Sequence, residues 1–384
     1  MLCYESLLLN ATVLIPLPTG PYGTSFSVHE LVDKSRQDPF APTPETRALV
    51  VSAWYPVPKE SCHDICHVPY MPTATARYEE QFTLAGLNMT NGTLETVKLG
   101  VCCGRSVELF YKSNTIPVVL FSTGLGTSRH QNNAQVQQLA SEGYAVISID
   151  HTYDASYVEF PDGRGVAGVI PDDSTFEKIE LAVATRIQDF SFVLDQLSVR
   201  STLERLFPFP SDVLNVARIP ILGWSIGGAS AIAAAQNETR IAGAANLDGA
   251  FFLIKHDIKT PVFLFGAQGH NTSQPVTGQY PDDSWPNAWP YFRGLKVELS
   301  LLKGAHSLFS DIPILVKVLG IFDRLTPHYK DALKGIDGTR VLEITVTYLK
   351  AFVDFAVYGR DQPLLEKNST AFPEVVVLHS LHSG

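Results

Sequence analysis

The chain has 384 residues, 45% of them hydrophobic and 18% charged, and a formal net charge of −10. That acidic balance leaves no basic stripe to neutralise phosphates, so it argues against a nucleic-acid binder and against tight attachment to anionic membranes. The sequence contains no run of about 18 apolar residues, the length a membrane-spanning helix needs.

Residues 1–45 are rich in proline and glycine and are expected to be extended. The first twenty residues lack the basic start of a secretory signal and carry Glu5, so they read as an edge segment with no clear signal peptide. "RALVVSAWYPV" (47–57) reads as a buried strand that ends at a proline. Residues 58–115 are irregular and are expected to form an insertion packed on the core.

This insertion carries four of the five cysteines, as the close pairs Cys62/Cys66 and Cys102/Cys103. "CHDICH" offers zinc-ligand types, but two disulfides joining the pairs are the preferred reading, with Cys3 left unpaired. Six N-x-S/T sequons, at Asn10, Asn88, Asn91, Asn237, Asn271 and Asn368, together with paired cysteines fit a secreted glycoprotein.

From residue 116 the pattern becomes regular. Strands are expected at 116–122, 144–150, 218–224, 241–248, 261–267 and 296–301. Helices are expected around 132–142, 176–198, just after Ser225 and at 339–358. Alternating strands and helices predict a mainly parallel sheet covered on both faces, with 116–360 as the catalytic core of one domain spanning 1–384. In such folds the site lies at the carboxyl ends of the strands.

"ILGWSIGGAS" (221–230) holds Gly223-Trp224-Ser225-Ile226-Gly227 between a strand and a small-residue helix. This is the context of a nucleophile elbow, where the serine sits on a sharp turn and its neighbours must be small. No G-x-G-x-x-G spacing and no lysine after the glycines support a phosphate loop instead. His306, in "KGAHSLFSD" after the 296–301 strand, is the expected base, ahead of His130, His151 and His270. The orienting acid is either Asp248, at a strand end in "NLDGAFF", or Asp282 or Asp283 in a later loop, with Asp248 preferred for its placement. "GAQGHNTSQ", after the 261–267 strand, has no carboxylate. The backbone N–H groups of Ile226 and of Leu125, in "STGLG", are the expected oxyanion donors.

"VVLFSTGLG", "GWSIGGASAIAAA", "NLDGAFF" and "KGAHSLFSD" resemble the secreted-type platelet-activating factor acetylhydrolases and their fungal relatives. "SRQDPFAP", "RALVVSAWYPV" and "IDHTYDASYVEFPDG" extend the resemblance from about residue 16 to 376. It implies an α/β-hydrolase fold, Ser225, Asp248 and His306 as the triad, and Leu125 and Ile226 as the oxyanion donors. It further implies calcium-independent hydrolysis of short or oxidised acyl esters of phospholipids; no cofactor is expected, and the expected partners are a small-molecule or phospholipid ester and transient contact with a lipid surface. The family commonly has His before the nucleophile, Phe after it and His-Gly in the early loop. This chain has Trp224, Ile226 and Thr123-Gly124 there. Trp224 and Thr123 are therefore expected to shape the acyl pocket. Gly-Trp-Ser also resembles cutinase-like polyester hydrolases. The rival functions are a lactone or thioester hydrolase of a biosynthetic pathway and an inactive hydrolase fold used for binding.

Overall fold

The structure, a computed structural model, describes residues 12–103, 116–170, 175–276 and 282–380. Cys3 and Asn10 lie outside these residues. Nine strands form the continuous path of the main sheet: β1 (Gly23–Gln37), β2 (Thr46–Val57), β3 (Ile116–Ser122), β4 (Ala145–His151), β5 (Ile219–Trp224), β6 (Ile241–Leu247), β7 (Val262–Ala267), β8 (Lys296–Leu301) and β9 (Val375–His379). Their spatial order is β9-β8-β7-β6-β5-β3-β4-β2-β1. A tenth strand, Leu214–Asn215, pairs with the start of β3.

Strands β3 to β8 run parallel to their neighbours within this block. The hairpin β1–β2 joins antiparallel at one edge, and β9 joins antiparallel at the other. The sheet thus reaches beyond 116–360. The expected catalytic core left out β2, although 47–57 reads as a buried strand, and it left out the edge strands β1 and β9, because an edge strand with one face to solvent lacks the continuous apolar run of a buried parallel strand. Much of the proline-rich start is in fact the 15-residue strand β1.

Alternation along the central strands feeds two cores. Val119 and Phe121 of β3, Leu222 of β5 and Phe263 and Phe265 of β7 pack on one face. There they meet helices α1 (Asn133–Ser141), α4 (Ile312–Leu319) and α5 (Gly338–Tyr358). Val118 and Leu120, Ile221, and Val262 and Leu264 pack on the other face, with α2 (Phe176–Leu197) and α3 (Ile226–Ala234). A strand buried on both sides must be apolar at every position, which is why these segments read as unbroken hydrophobic runs.

The segment 59–103 forms short helices and a three-stranded sheet with Val13–Leu14. Its cysteines pair as Cys62–Cys102 and Cys66–Cys103, so their sulfurs are bonded to each other and unavailable to zinc. No helix among the described residues is long and apolar enough to cross a membrane.

Candidate active site

The chain leaves β3 for β4 on one side and later returns to β5 on the other, so the strand order reverses between β3 and β5. Such a switch point opens a crevice at the carboxyl ends of the strands. Ser225 stands there, one residue past β5 and one before α3. Its φ of 57° and ψ of −133° lie where non-glycine residues are strained. The turn closes because its neighbours are small. A Cβ on Gly223 would come within 2.4 Å of the Gly227 backbone, and one on Gly249 within 2.0 Å of the Ser225 carbonyl. The Ser225 N–H is anchored to Leu247 O at 2.8 Å.

Ser225 Oγ lies 3.0 Å from His306 Nε2, and His306 Nδ1 lies 2.7 Å from Asp248 Oδ2. His306 is half exposed, whereas Asp248 is 5% exposed. Asp248 itself has a positive φ of 60°, so two strained residues face each other across the imidazole. Burial opposes ionisation of Asp248, but hydrogen bonds from His270 and His306 outweigh it and hold the carboxyl below its usual range. The arrangement brings together a hydroxyl, a base and an orienting carboxylate in hydrogen-bond sequence.

The loop after β3 lies against the serine. A Cβ on Gly124 would sit 3.4 Å from Ser225 Cβ, and one on Gly227 would collide with Ser122 O and Thr123 O. Among the described residues, neither the Leu125 nor the Ile226 N–H has a protein acceptor. Two free amides at the first turn of a helix and on the facing loop can receive a developing negative charge.

Arg186 of α2, 1% exposed, fixes that loop. It donates to Thr123 O at 2.5 Å and Gly124 O at 3.0 Å, and binds Asp154 through two bonds of 2.6 and 2.7 Å. Gly126 N–H donates to Asp154 O at 3.1 Å.

The residues expected to shape the pocket have other work. Thr123 is 1% exposed and its hydroxyl donates to Thr127 O at 3.2 Å, so it braces the loop after β3 rather than lining an open cleft. Trp224 is 5% exposed; its indole lies 5.3 Å from the His306 ring and Nε1 donates to His306 O at 3.1 Å. It therefore packs against the His306 ring and fixes its backbone. Ile226 packs with Val183 and Ala233 and with partly buried Leu125, Ile179, Phe252 and Leu253.

The other candidates are elsewhere or play another part. His151 is buried, donates to Asp189 Oδ2 at 2.8 Å and receives Ser122 Oγ at 3.0 Å. His130 is buried and accepts from Asn133 Nδ2 at 3.1 Å. Asp282 does not reach His306; it lies 3.0 Å from His270 Nε2, and His270 Nδ1 lies 2.9 Å from Asp248 Oδ1. His270 thus occupies the loop after β7 where a carboxylate was sought, a place in the site that strand-end reasoning missed. Arg186 was missed as well, because a charged residue within a helix pattern reads as solvent-facing.

A family model described as platelet-activating factor acetylhydrolase, isoform II, matches residues 40–161. A probable 1-alkyl-2-acetylglycerophosphocholine esterase of Arthroderma benhamiae is 30% identical over 389 residues, which covers 96% of this chain and 95% of that protein. The solved structure of a ferulic acid esterase from Streptomyces cinnamoneus superposes with a TM-score of 0.79 at 32% identity, covering 96% of this chain and all of that one. Both relatives are named as esterases, and each match covers 96% of this chain. With this strand order and an α/β-hydrolase architecture, the chain belongs to the platelet-activating factor acetylhydrolase family and is an esterase.

Proposed function

We propose that Ser225, His306 and Asp248 form the catalytic triad of this esterase, with Leu125 and Ile226 as its oxyanion donors. The observation that carries the reading is the bonded sequence Ser225 Oγ–His306 Nε2 (3.0 Å) and His306 Nδ1–Asp248 Oδ2 (2.7 Å) at a strained turn. His306 takes the serine proton as Oγ adds to the ester carbonyl. The two amides bind the resulting oxyanion. The imidazolium returns its proton to the departing alcohol, leaving an acyl-serine, and water activated by His306 then releases the acid.

The substrate class we propose is the short acyl ester of a glycerophospholipid, as the name of the Arthroderma relative suggests. Phe176, 59% exposed and tilted against Phe252 at 5.3 Å, stands beside the Ile226 cluster and supports transient contact with a lipid surface. Two disulfides and exposed sequons at Asn88, Asn91, Asn237 and Asn368 support a secreted, glycosylated protein. A sheet built from strands drawn from residue 23 to residue 379 supports reading the chain as one domain.

The same Phe176–Phe252 pair favours a second reading, an aromatic acyl group as in the Streptomyces neighbour. A panel of 1-alkyl-2-acetylglycerophosphocholine, methyl ferulate and p-nitrophenyl esters from acetyl to palmitoyl separates the two by kcat/KM. Ser225→Ala is expected to abolish turnover and fluorophosphonate labelling. Labelling of that variant at the wild-type rate would overturn the triad.

A further inference from the structure

We infer that His270 is a positioning residue for this reaction: clamped between Asp248 and Asp282 as an imidazolium, it aims the Asp248 carboxylate at His306 and offsets part of its charge. The inference rests on Ser225, His306 and Asp248 being the triad.

The geometry around Asp248 has two halves. Oδ2 serves His306. Oδ1 receives the Ala267 N–H at 2.6 Å and His270 Nδ1 at 2.9 Å, so the carboxylate plane is pinned from behind. His270 is pinned in turn. Its Nε2 lies 3.0 Å from Asp282 Oδ2, and Asp282 Oδ1 accepts the Ser284 N–H at 2.8 Å. The Trp285 indole covers the ring at 4.2 Å and donates to Gly249 O at 2.7 Å, the residue next to Asp248. A Cβ on Gly266 would meet His270 O at 2.1 Å and the Trp285 ring at 3.2 Å, so glycine permits the fold-back of this loop onto β7.

Both ring nitrogens of His270 face a carboxylate. A neutral imidazole donates from one nitrogen only and would turn a lone pair toward the other carboxylate. The charged ring donates Nδ1–H to Asp248 and sets positive charge against Asp282 at 3.0 Å, an ion-pair contact without hydrogen-bond alignment. Burial disfavours that charge, but the bonds and charges of Asp248 and Asp282 outweigh it and push the group up to about 9. Other ionisable groups stand around this loop among the described residues: Asp283 follows Asp282, and the Lys303 N–H donates to Gln268 Oε1 at 2.5 Å. His306 lies across Asp248. Glu298 of β8 is buried, bonded to Thr272 N and Oγ1 at 2.6 Å each, and faced by His379 Nε2 at 3.5 Å. Trp285 brings no titratable group.

Behind His306 there are therefore two carboxylates and one imidazolium rather than one bare carboxylate. Removing the imidazolium leaves more negative charge near the base, which then holds its proton to higher pH.

The test uses the full chain, p-nitrophenyl acetate, and His270→Asn, His270→Ala and Asp282→Asn, each checked for wild-type near-ultraviolet circular dichroism. Asn places a neutral N–H near the position of Nδ1, so His270→Asn is expected to keep most of kcat. His270→Ala is expected to lose about 10–100-fold in kcat with KM little changed. In both, the acid limb of kcat/KM moves up by about one pH unit. Asp282→Asn removes a negative charge and does not move that limb upward. An unmoved limb in both His270 variants, or an upward shift in Asp282→Asn, overturns the inference. Fluorophosphonate labelling of wild type runs in parallel. If wild type labels at Ser225 and the limbs stay fixed, only the role of His270 fails; if wild type does not label at Ser225, the triad itself fails.

Discussion

The two flanks of Ser225 are held by different chemistry. On the oxyanion flank, Arg186 grips the Thr123–Gly124 carbonyls and Asp154 from a fully buried position. A guanidinium keeps its charge across any pH the protein meets. On the acid flank, Asp248 is gripped by an imidazole, the one side chain whose charge changes near neutrality. One clamp is indifferent to pH and the other responds to it. A single pH profile therefore reports on one side of the site only.

The largest expected effect lies on the acid flank. Asp248→Asn is expected to lower kcat by about 10⁴, because it presents the wrong partner to His306 Nδ1. Asp282→Asn, acting through His270, is expected to cost less than about tenfold. Stopped-flow or steady-state turnover of one ester by both variants measures the ratio, and equal losses would move the orienting role to the later loop.

Arg186→Met should come next. It leaves Asp154 buried and unpaired, which costs about 3–5 kcal/mol in denaturant unfolding. It also frees the oxyanion loop, for a loss of about 10² in kcat. The acid limb should stay where it is in wild type. A shifted limb in this variant would erase the contrast between the flanks.

A smaller effect concerns stability and pH. The folded-state value for His270 is raised to about 9, above its ordinary value of 6.5. Between these values the folded state binds the extra proton, so its stabilising contribution is complete below about 6.5 and is lost as pH rises through 9. Thermal melts of wild type from pH 6 to 10 should fall more steeply than those of His270→Asn; parallel curves would show that the clamp is not charged.

The smallest effect on the site should come from the disulfides. Cys62–Cys102 closes a loop at a sequence separation of 40, for which chain entropy gives about 4 kcal/mol; Cys66–Cys103, at a separation of 37, adds less because the first bond already holds its two ends a few residues apart. Reduction should lower the melting temperature while leaving kcat below the transition unchanged.

The central strands were legible because burial on both faces demands uninterrupted apolar runs, and Ser225 because its turn, its glycines and its helix are all local in sequence. The placement of His306 and Asp248 beside Ser225 was legible from their positions at strand ends. The preferred cysteine reading followed from two close pairs. What stayed hidden depends on contacts across long sequence separations. His270 gains its meaning from Asp248, 22 residues away, and Arg186 from Thr123, 63 residues away. One clue stood in plain view: "GAQGHNTSQ" has a histidine near the strand end where an acid was sought. β1 and β9 were lost because an edge strand with one wet face carries a weaker pattern.

Each histidine bonded to Asp248 is faced by an indole. Trp224 lies 5.3 Å from His306, and Trp285 lies 4.2 Å from His270. A protonated imidazole accepts an electron from an excited indole and darkens its emission. Two of the four tryptophans are therefore wired to the two rings whose protons matter. Trp54 and Trp289 also emit, and Trp289 lies 4.8 Å from His379, so the difference between wild type and the phenylalanine variant of Trp224 or of Trp285 isolates one indole at a time, one reading His306 and the other His270, with no dye and no substrate.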